Sequence, residues 1–276
     1  MKLSLCNEVL LPMAFEEQCA WAKAVGYDAL ELAPFTLADE PTTLTSASAH
    51  RFKAVAADHD LAISSLHWLL VKPDGLSMVT ADAAVRARTL GFLRQLIEFA
   101  ADCGASTLVH GSPKQRSPQA GQSVADATGQ LESALAELAP HAKAAGVTYC
   151  IEPLSRAETP VINTVAEAAA LVDRIGSSAL RTMLDVSAAS QAETEPVHEV
   201  LARYLASGHI AHVQCNDRNR RGPGQGDTPQ APVLQVLKAA GYVGWVAVEP
   251  FIYQPDGPAC AAFSAGWLRG QWSQLP

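Results

Sequence analysis

The sequence predicts a (β/α)8 barrel of the TIM type, folded as one domain over residues 1–276, and three observations predict it. Eight short apolar runs alternate with eight helix-patterned segments, the signature of a parallel sheet with crossover helices. Several helix patterns end in the same punctuation, Val25-Gly26-Tyr27, Cys103-Gly104-Ala105, Ala145-Gly146-Val147 and Ala240-Gly241-Tyr242. There a glycine at positive φ turns the chain into the next strand. An open doubly wound sheet would instead carry a glycine-rich nucleotide loop early, whereas the first strand here leads into Asn7-Glu8-Val9-Leu10-Leu11-Pro12.

The strand-like runs are Lys2–Cys6, Ala29–Ala33, Leu61–His67, Ser106–His110, Val147–Glu152, Arg181–Asp185, His209–Gln214 and Gly244–Glu249. The intervening helix patterns are Ala14–Val25, Ser46–His59, Ala81–Cys103, Val124–Ala145, Thr164–Ile175, Glu195–Ala206, Ala231–Ala240 and Ala259–Trp267. The longest loop-like passages, Pro34–Thr45, Leu69–Thr80, Gly111–Ser123 and Cys215–Gln230, all follow strands. In a barrel that is the face where chemistry is done, and loops of this length in a compact domain are usually functional. No low-complexity linker divides the chain.

Composition narrows the function. The chain is 49% hydrophobic and 17% charged with a net charge of −8, which supports a large core and argues against nucleic acid or acidic membrane surfaces as partners. No stretch approaches the ~18 uninterrupted apolar residues of a spanning helix. Met1–Cys6 carries no apolar run of signal-peptide length. Cys6, Cys19, Cys103, Cys150, Cys215 and Cys260 are scattered without a CxxC pair, so the expectation is a reduced, cytoplasmic protein.

Four residues carry the chemistry: Glu152 after Val147–Ile151, Asp185 after Thr182–Leu184, His212 after His209–Ala211 and Glu249 after Trp245–Val248. One acidic residue after a strand is commonly a cap or turn residue. Four in register at the ends of consecutive strands five to eight read as a metal site, because such groups repel one another in a low-dielectric cleft unless a cation joins them. Three carboxylates and an imidazole are a hard set suited to Mn²⁺, Mg²⁺ or Co²⁺.

Ile151-Glu152-Pro153-Leu154-Ser155-Arg156-Ala157-Glu158-Thr159 resembles the E-P-L-N-R-x-E-T segment of the sugar phosphate isomerase/epimerase family, whose xylose isomerase-like barrels include the tagatose and psicose 3-epimerases. Leu184-Asp185-Val186, the stretch from His212 to Arg218 with Arg221-Gly222-Pro223-Gly224-Gln225-Gly226, and Val248-Glu249-Pro250 resemble further segments of that family. So does Gly26-Tyr27-Asp28-Ala29-Leu30-Glu31-Leu32, and the likeness covers essentially the whole chain. The resemblance implies a divalent metal on Glu152, Asp185, His212 and Glu249, with Glu152 and Glu249 doubling as the acid/base pair. It further implies that Glu158 and Arg218 contact substrate oxygens, and that the protein forms a homodimer or homotetramer. Arg220, Arg221 and the Trp267–Trp272 segment are the expected subunit contacts or solvent-facing groups. One departure stands out: where the ketose 3-epimerases carry a substrate-contacting His three residues after the metal Asp, this chain has Ala188.

The physical logic parallels the family's. Proton removal beside a carbonyl needs a base and a Lewis acid to hold the developing enediolate charge. Two carboxylates on opposite faces then epimerise, whereas one that shuttles the proton between carbons isomerises. Lesser candidates are His67 and Trp68 after strand three, which would face the mouth as substrate contacts, and Lys114 and Arg116 after strand four, which would hold a phosphate or carboxylate. His110 and Glu31 close their own strands, whereas His50, His59, His141 and His198 fall in helix patterns and are expected at the surface. The leading expectation is a metal-dependent isomerase or epimerase of a sugar, sugar phosphate or related keto-polyol, with a carbohydrate or keto acid as its small-molecule partner. The competitors are a dehydratase of a keto-cyclitol or dehydroshikimate-like acid, an abasic-site endonuclease, disfavoured by the −8 charge, and a non-catalytic sugar-binding barrel.

Overall fold

The computed structural model describes residues 1–276. Eight parallel strands close into a barrel in sequence order: β1 Lys2–Cys6, β2 Ala29–Leu32, β3 Ala62–Leu66, β4 Thr107–His110, β5 Thr148–Ile151, β6 Leu180–Asp185, β7 Ile210–Cys215 and β8 Trp245–Val248. The last strand pairs with the first, from Lys2 opposite Trp245 to Leu5 opposite Val248, so no edge is left open. The crossover helices are α1 Phe15–Ala24, α2 Ser46–Asp58, α3 Ala83–Cys103, α4 Val124–Ala145, α5 Val165–Ile175, α6 Val197–Ala206, α7 Gln230–Ala239 and α8 Gly257–Gln274. The barrel and its single domain match the sequence expectation in type and order.

Local chemistry explains the elements. Thr164 and Glu167 form a reciprocal capping box that starts α5, and Ser123 and Asp82 cap α4 and α3. Gly104 and Gly146 end α3 and α4 at φ +82° and +71°, as the punctuation predicts. Among the unforeseen short helical segments, Pro34–Leu37, Pro113–Arg116 and Val186–Ala192 each start within three residues of the end of a strand. The last helix runs to Gln274 rather than Trp267: Leu268 is fully buried, and the Arg269 guanidinium donates to Gly26 O and Asp28, tying the turn to the β2 approach.

A cluster of 66 buried apolar residues fills the space between strands and helices. Inside the barrel only Val109, Cys150 and Met183 form an apolar plug. Much of the rest of the interior is polar. Ser4 on β1 meets Ser64 on β3 at 2.7 Å, and Glu31 on β2 meets His212 on β7 at 3.0 Å across the lumen. Barrel interiors are normally packed with Val, Ile and Leu, so this polar column marks where the fold gives up packing for chemistry. No helix is long and apolar enough to cross a membrane.

Candidate metal centre and active site

Glu152, His67 and Glu249 each stand one residue beyond the last ladder residue of their strand. Their backbones remain pinned to the neighbouring strand: Glu152 N donates to His110 O, His67 N to Leu32 O and Glu249 N to Cys215 O, at 3.0–3.2 Å. Asp185 is the last residue of β6 and caps Val186–Ala192, accepting from Ala188 N at 2.7 Å. Its other oxygen accepts from Asn216 Nδ2, which also donates to Glu249 O. Side chains on strand ends are thereby held on rigid scaffolding.

The carboxylate oxygens of Glu152, Asp185 and Glu249 lie within 4.8 Å of one another, all buried. Burial and mutual repulsion push the Glu152 carboxyl well above the carboxylate range, and burial with the nearby Glu249 does the same to Asp185. Burial raises Glu249 to about 7, against the opposing pull of His67. Glu249 Oε1 accepts from both His67 Nδ1 at 3.0 Å and the Trp68 indole at 3.1 Å, while its Oε2 is buried without a partner. Gly111 makes room for the cluster, since a Cβ there would sit 2.3 Å from Glu152 Oε2.

His212 does not join these carboxylates. The expectation placed it after the apolar run His209–Ala211, within a strand read as His209–Gln214; β7 runs to Cys215, and His212 sits deeper in the lumen with its Nε2 3.0 Å from Glu31 Oε2. Two residues on, on the same inward face, Gln214 pairs in register with Asp185, and its Oε1 is buried with no hydrogen-bond partner. Gln214 escaped the sequence reading because a neutral amide carries no charge signal. The H-x-Q alternation at the end of a strand was the only trace of it.

His67 bridges Glu249 and Glu8, with Nε2 3.0 Å from Glu8 Oε2. Burial disfavours its charge, yet Glu8 and Glu249 together raise its pKa well above the usual imidazole value. Cys6, Glu8, His67 and Glu249 form a second tight group of metal-ligand type, with Glu8 a member that sequence reading missed. Trp68 holds φ +51°, a strained setting for a bulky residue that aims its indole at Glu249.

The loop cations are redistributed. Arg116 is not a mouth residue: it is fully buried, donating to Glu152 O at 2.6 Å, with burial lowering its pKa to about 10. His110 beside it bonds Tyr149 Oη at 2.7 Å, and burial depresses it to about 3. Lys114 is exposed and lines neither void at the mouth. Arg218 points away into a lateral cleft of about 620 Å³ with Glu195, His198 and Asp227. None of the three clustered carboxylates lines that cleft. Arg220, expected at solvent, faces the site. Its guanidinium stacks over Phe251 at 4.4 Å and approaches Glu158 at 3.9 Å, while its carbonyl accepts from Phe251 N and Ile252 N.

Two adjoining voids of about 20 and 10 Å³ sit over the carboxylates, walled by Trp68, Leu154, Glu158 and Phe251, with Ala188, Gln191 and Arg220 on the far side. Trp68 and Phe251 meet edge to face at 6.2 Å and close the mouth to roughly the room of one water. Glu158 is held by the Ser155 hydroxyl at 2.7 Å.

A closed parallel barrel with a buried carboxylate triad at the C-terminal ends of β5, β6 and β8 defines a class of α/β barrel whose donor set is of the kind that could hold a hard cation. The family-level sequence model of the xylose isomerase-like TIM barrel matches residues 19–271, and the chain belongs to that family. It is 34% identical to a D-psicose 3-epimerase of Enterocloster bolteae over 120 residues, 44% of this chain but only 39% of that protein's length. An inferred hydroxypyruvate isomerase of Streptomyces coelicolor is 30% identical over 273 residues, covering 91% of this chain and 89% of that one. A crystal structure of D-psicose 3-epimerase in the presence of D-fructose superposes with a TM-score of 0.84 over 99% of both chains, at 20% identity, a likeness of fold.

Proposed function

We propose that this protein is a divalent-metal-dependent isomerase or epimerase of an unphosphorylated ketose, working by proton removal beside the carbonyl. The observation that carries the reading is the convergence of the Glu152, Asp185 and Glu249 carboxylates, with Glu249 Oε2 buried and unpartnered; Gln214, in register with Asp185, carries a further unpartnered oxygen, Oε1. Four oxygen donors of this kind fit Mn²⁺ or Mg²⁺, with Gln214 in the place expected of His212. A bound cation supplies Lewis acidity, polarising the substrate carbonyl and offsetting the charge that develops as the proton leaves.

The chain's own groups do the rest. Glu152 and Glu249 take and return the proton. His67 and Trp68 hold one Glu249 oxygen in place while the other is left without a partner. Glu158 and Arg220 are placed to bind substrate hydroxyls, and Trp68 and Phe251 exclude water. The charge of the lining argues for a neutral substrate. Glu152, Glu158, Asp185 and Glu249 face the voids, and the one guanidinium there, Arg220, is already near Glu158, so a phosphate finds no free cation. The epimerase names of its relatives support the same class of reaction.

The test is solvent exchange. Mn²⁺-loaded protein in D₂O is offered ketoses, keto acids and their phosphates, read by NMR and mass. Deuterium beside the carbonyl of a free ketose, with an isomeric product, is expected. Glu152→Gln and Glu249→Gln should each reduce that exchange by about 10²–10⁴-fold, the range for a lost general base. A product lighter by one water would assign a dehydratase, and no exchange with any substrate would leave a binding barrel.

A further inference from the structure

Beneath the carboxylates lies a second polar layer that the proton-transfer chemistry does not use. Glu31, His212 and Gln214 are all buried in the lumen, at 0%, 1% and 0% exposure. Glu31 gathers several donors: His212 Nε2 on Oε2 at 3.0 Å, the Cys6 thiol on Oε2 at 3.8 Å, Gln214 Nε2 on Oε1 at 3.4 Å, and the Ser65 hydroxyl. The opposite end of the Gln214 amide, Oε1, accepts nothing. Burying a carboxylate against an imidazole adds little to stability, because desolvation offsets most of what the contact returns. Its retention here asks for another reason.

We propose that the Glu31–His212 pair is a positioning device that orients the Gln214 amide, turning its oxygen rather than its nitrogen toward the cation. The inference rests on the reading of Gln214 as a ligand. An amide's oxygen and nitrogen ends are nearly isosteric, so only hydrogen bonding decides which way the group faces. His212 occupies one Glu31 oxygen and leaves the other as the acceptor for Gln214. A flipped amide would set its oxygen against the Glu31 carboxylate and present N–H groups to a cation. Both contacts are repulsive, so one carboxylate across the lumen selects the binding orientation. Sequence alone shows Glu31 and Gln214 as unrelated residues 183 positions apart.

The experiment measures Mn²⁺ binding to the EDTA-stripped protein by calorimetry and by the Mn²⁺ EPR signal, independently of turnover. Glu31→Gln keeps the volume but adds N–H donors that can bond Gln214 Oε1 and permit the flip. Affinity should fall about 10–100-fold, the usual effect of losing a group that orients a ligand. The double variant E31Q/Q214E keeps one carboxylate and one amide in the layer, and its ligand has two equivalent oxygens that need no orienting. It should bind Mn²⁺ within a few-fold of the parent, and it does so even if E31Q alone folds poorly. Wild-type affinity in E31Q, or a folded double variant that stays weak, overturns the positioning role. Undiminished Mn²⁺ binding in Gln214→Ala would instead remove the ligand reading beneath it.

Discussion

At the scale of single residues, the site depends on atoms that carry no charge. Gly111 is one: its missing Cβ is the space that Glu152 Oε2 occupies. Gly111→Ala leaves backbone and core intact but forces the carboxylate aside, so Mn²⁺ affinity should drop about tenfold or more while Tm stays near the parent's. Calorimetric titration with thermal melts checks both halves. Glu152, Asp185 and Glu249 were legible in the sequence because each is an ionisable residue ending a strand-like run: one alone is commonly a cap or turn residue, but their recurrence at successive strand ends is not. Gln214 was not legible, nor was Glu8. The first is neutral, and the second lies in a one-turn 3-10 helix after β1, where only the fold brings it to His67.

Elements decide which arginine matters. The turn after β7 begins with Asp217, whose carbonyl accepts from Arg220 N, and Arg220 enters the left-handed region at φ +68°. That turn throws Arg218 outward to the lateral cleft and brings Arg220 back over Phe251. Arg220→Ala should therefore raise KM about tenfold or more, the scale of a lost hydrogen bond from a charged donor, whereas Arg218→Ala stays within about twofold. Steady-state kinetics on the ketose found by exchange reads the difference. From sequence the two are indistinguishable, since a one- or two-residue change in turn geometry reverses which side chain faces the mouth. The end of β7 behaves the same way: the strand-like run reaches Gln214, yet the sequence reading places the site at His212, and it is Gln214 that stands in register with Asp185.

For the whole molecule, three mutually repelling carboxylates in one buried site make stability depend on pH and, on the proposed reading, on a bound cation. Glu249 is pushed up to about 7, and Glu152 and Asp185 are raised as well. The folded, cation-free protein thus holds protons that the unfolded chain has already released, and stability falls as pH rises from the ordinary carboxylate range through 7. His67, raised by Glu8 and Glu249 against its burial, contributes with the same sign above its unfolded pKa of about 6.5. Glu31 has the opposite sign: His212 lowers it despite burial, and the stability it contributes is lost only in acid. With about 1 kcal/mol worth roughly 2–4 °C in a chain of this size, the EDTA-treated protein should lose several degrees of Tm between pH 5 and pH 8. Added Mn²⁺ should restore it at the upper end, where the ligands are deprotonated. A melt series across that range, with and without Mn²⁺, tests it.

The sequence by itself determined the barrel, its strand order and the three carboxylates that cluster at its mouth. Hydrophobic periodicity, helix-ending glycines and an ionisable residue at a strand's end are local properties that each segment carries alone. The tertiary structure decided the rest. It set His212 against Glu31 and left Gln214 beside Asp185, buried Arg116 under Glu152, and exchanged Arg218 for Arg220 at the mouth. Those outcomes depend on ladder length, turn geometry and contacts across a closed lumen, and such distances exist only once eight strands have joined.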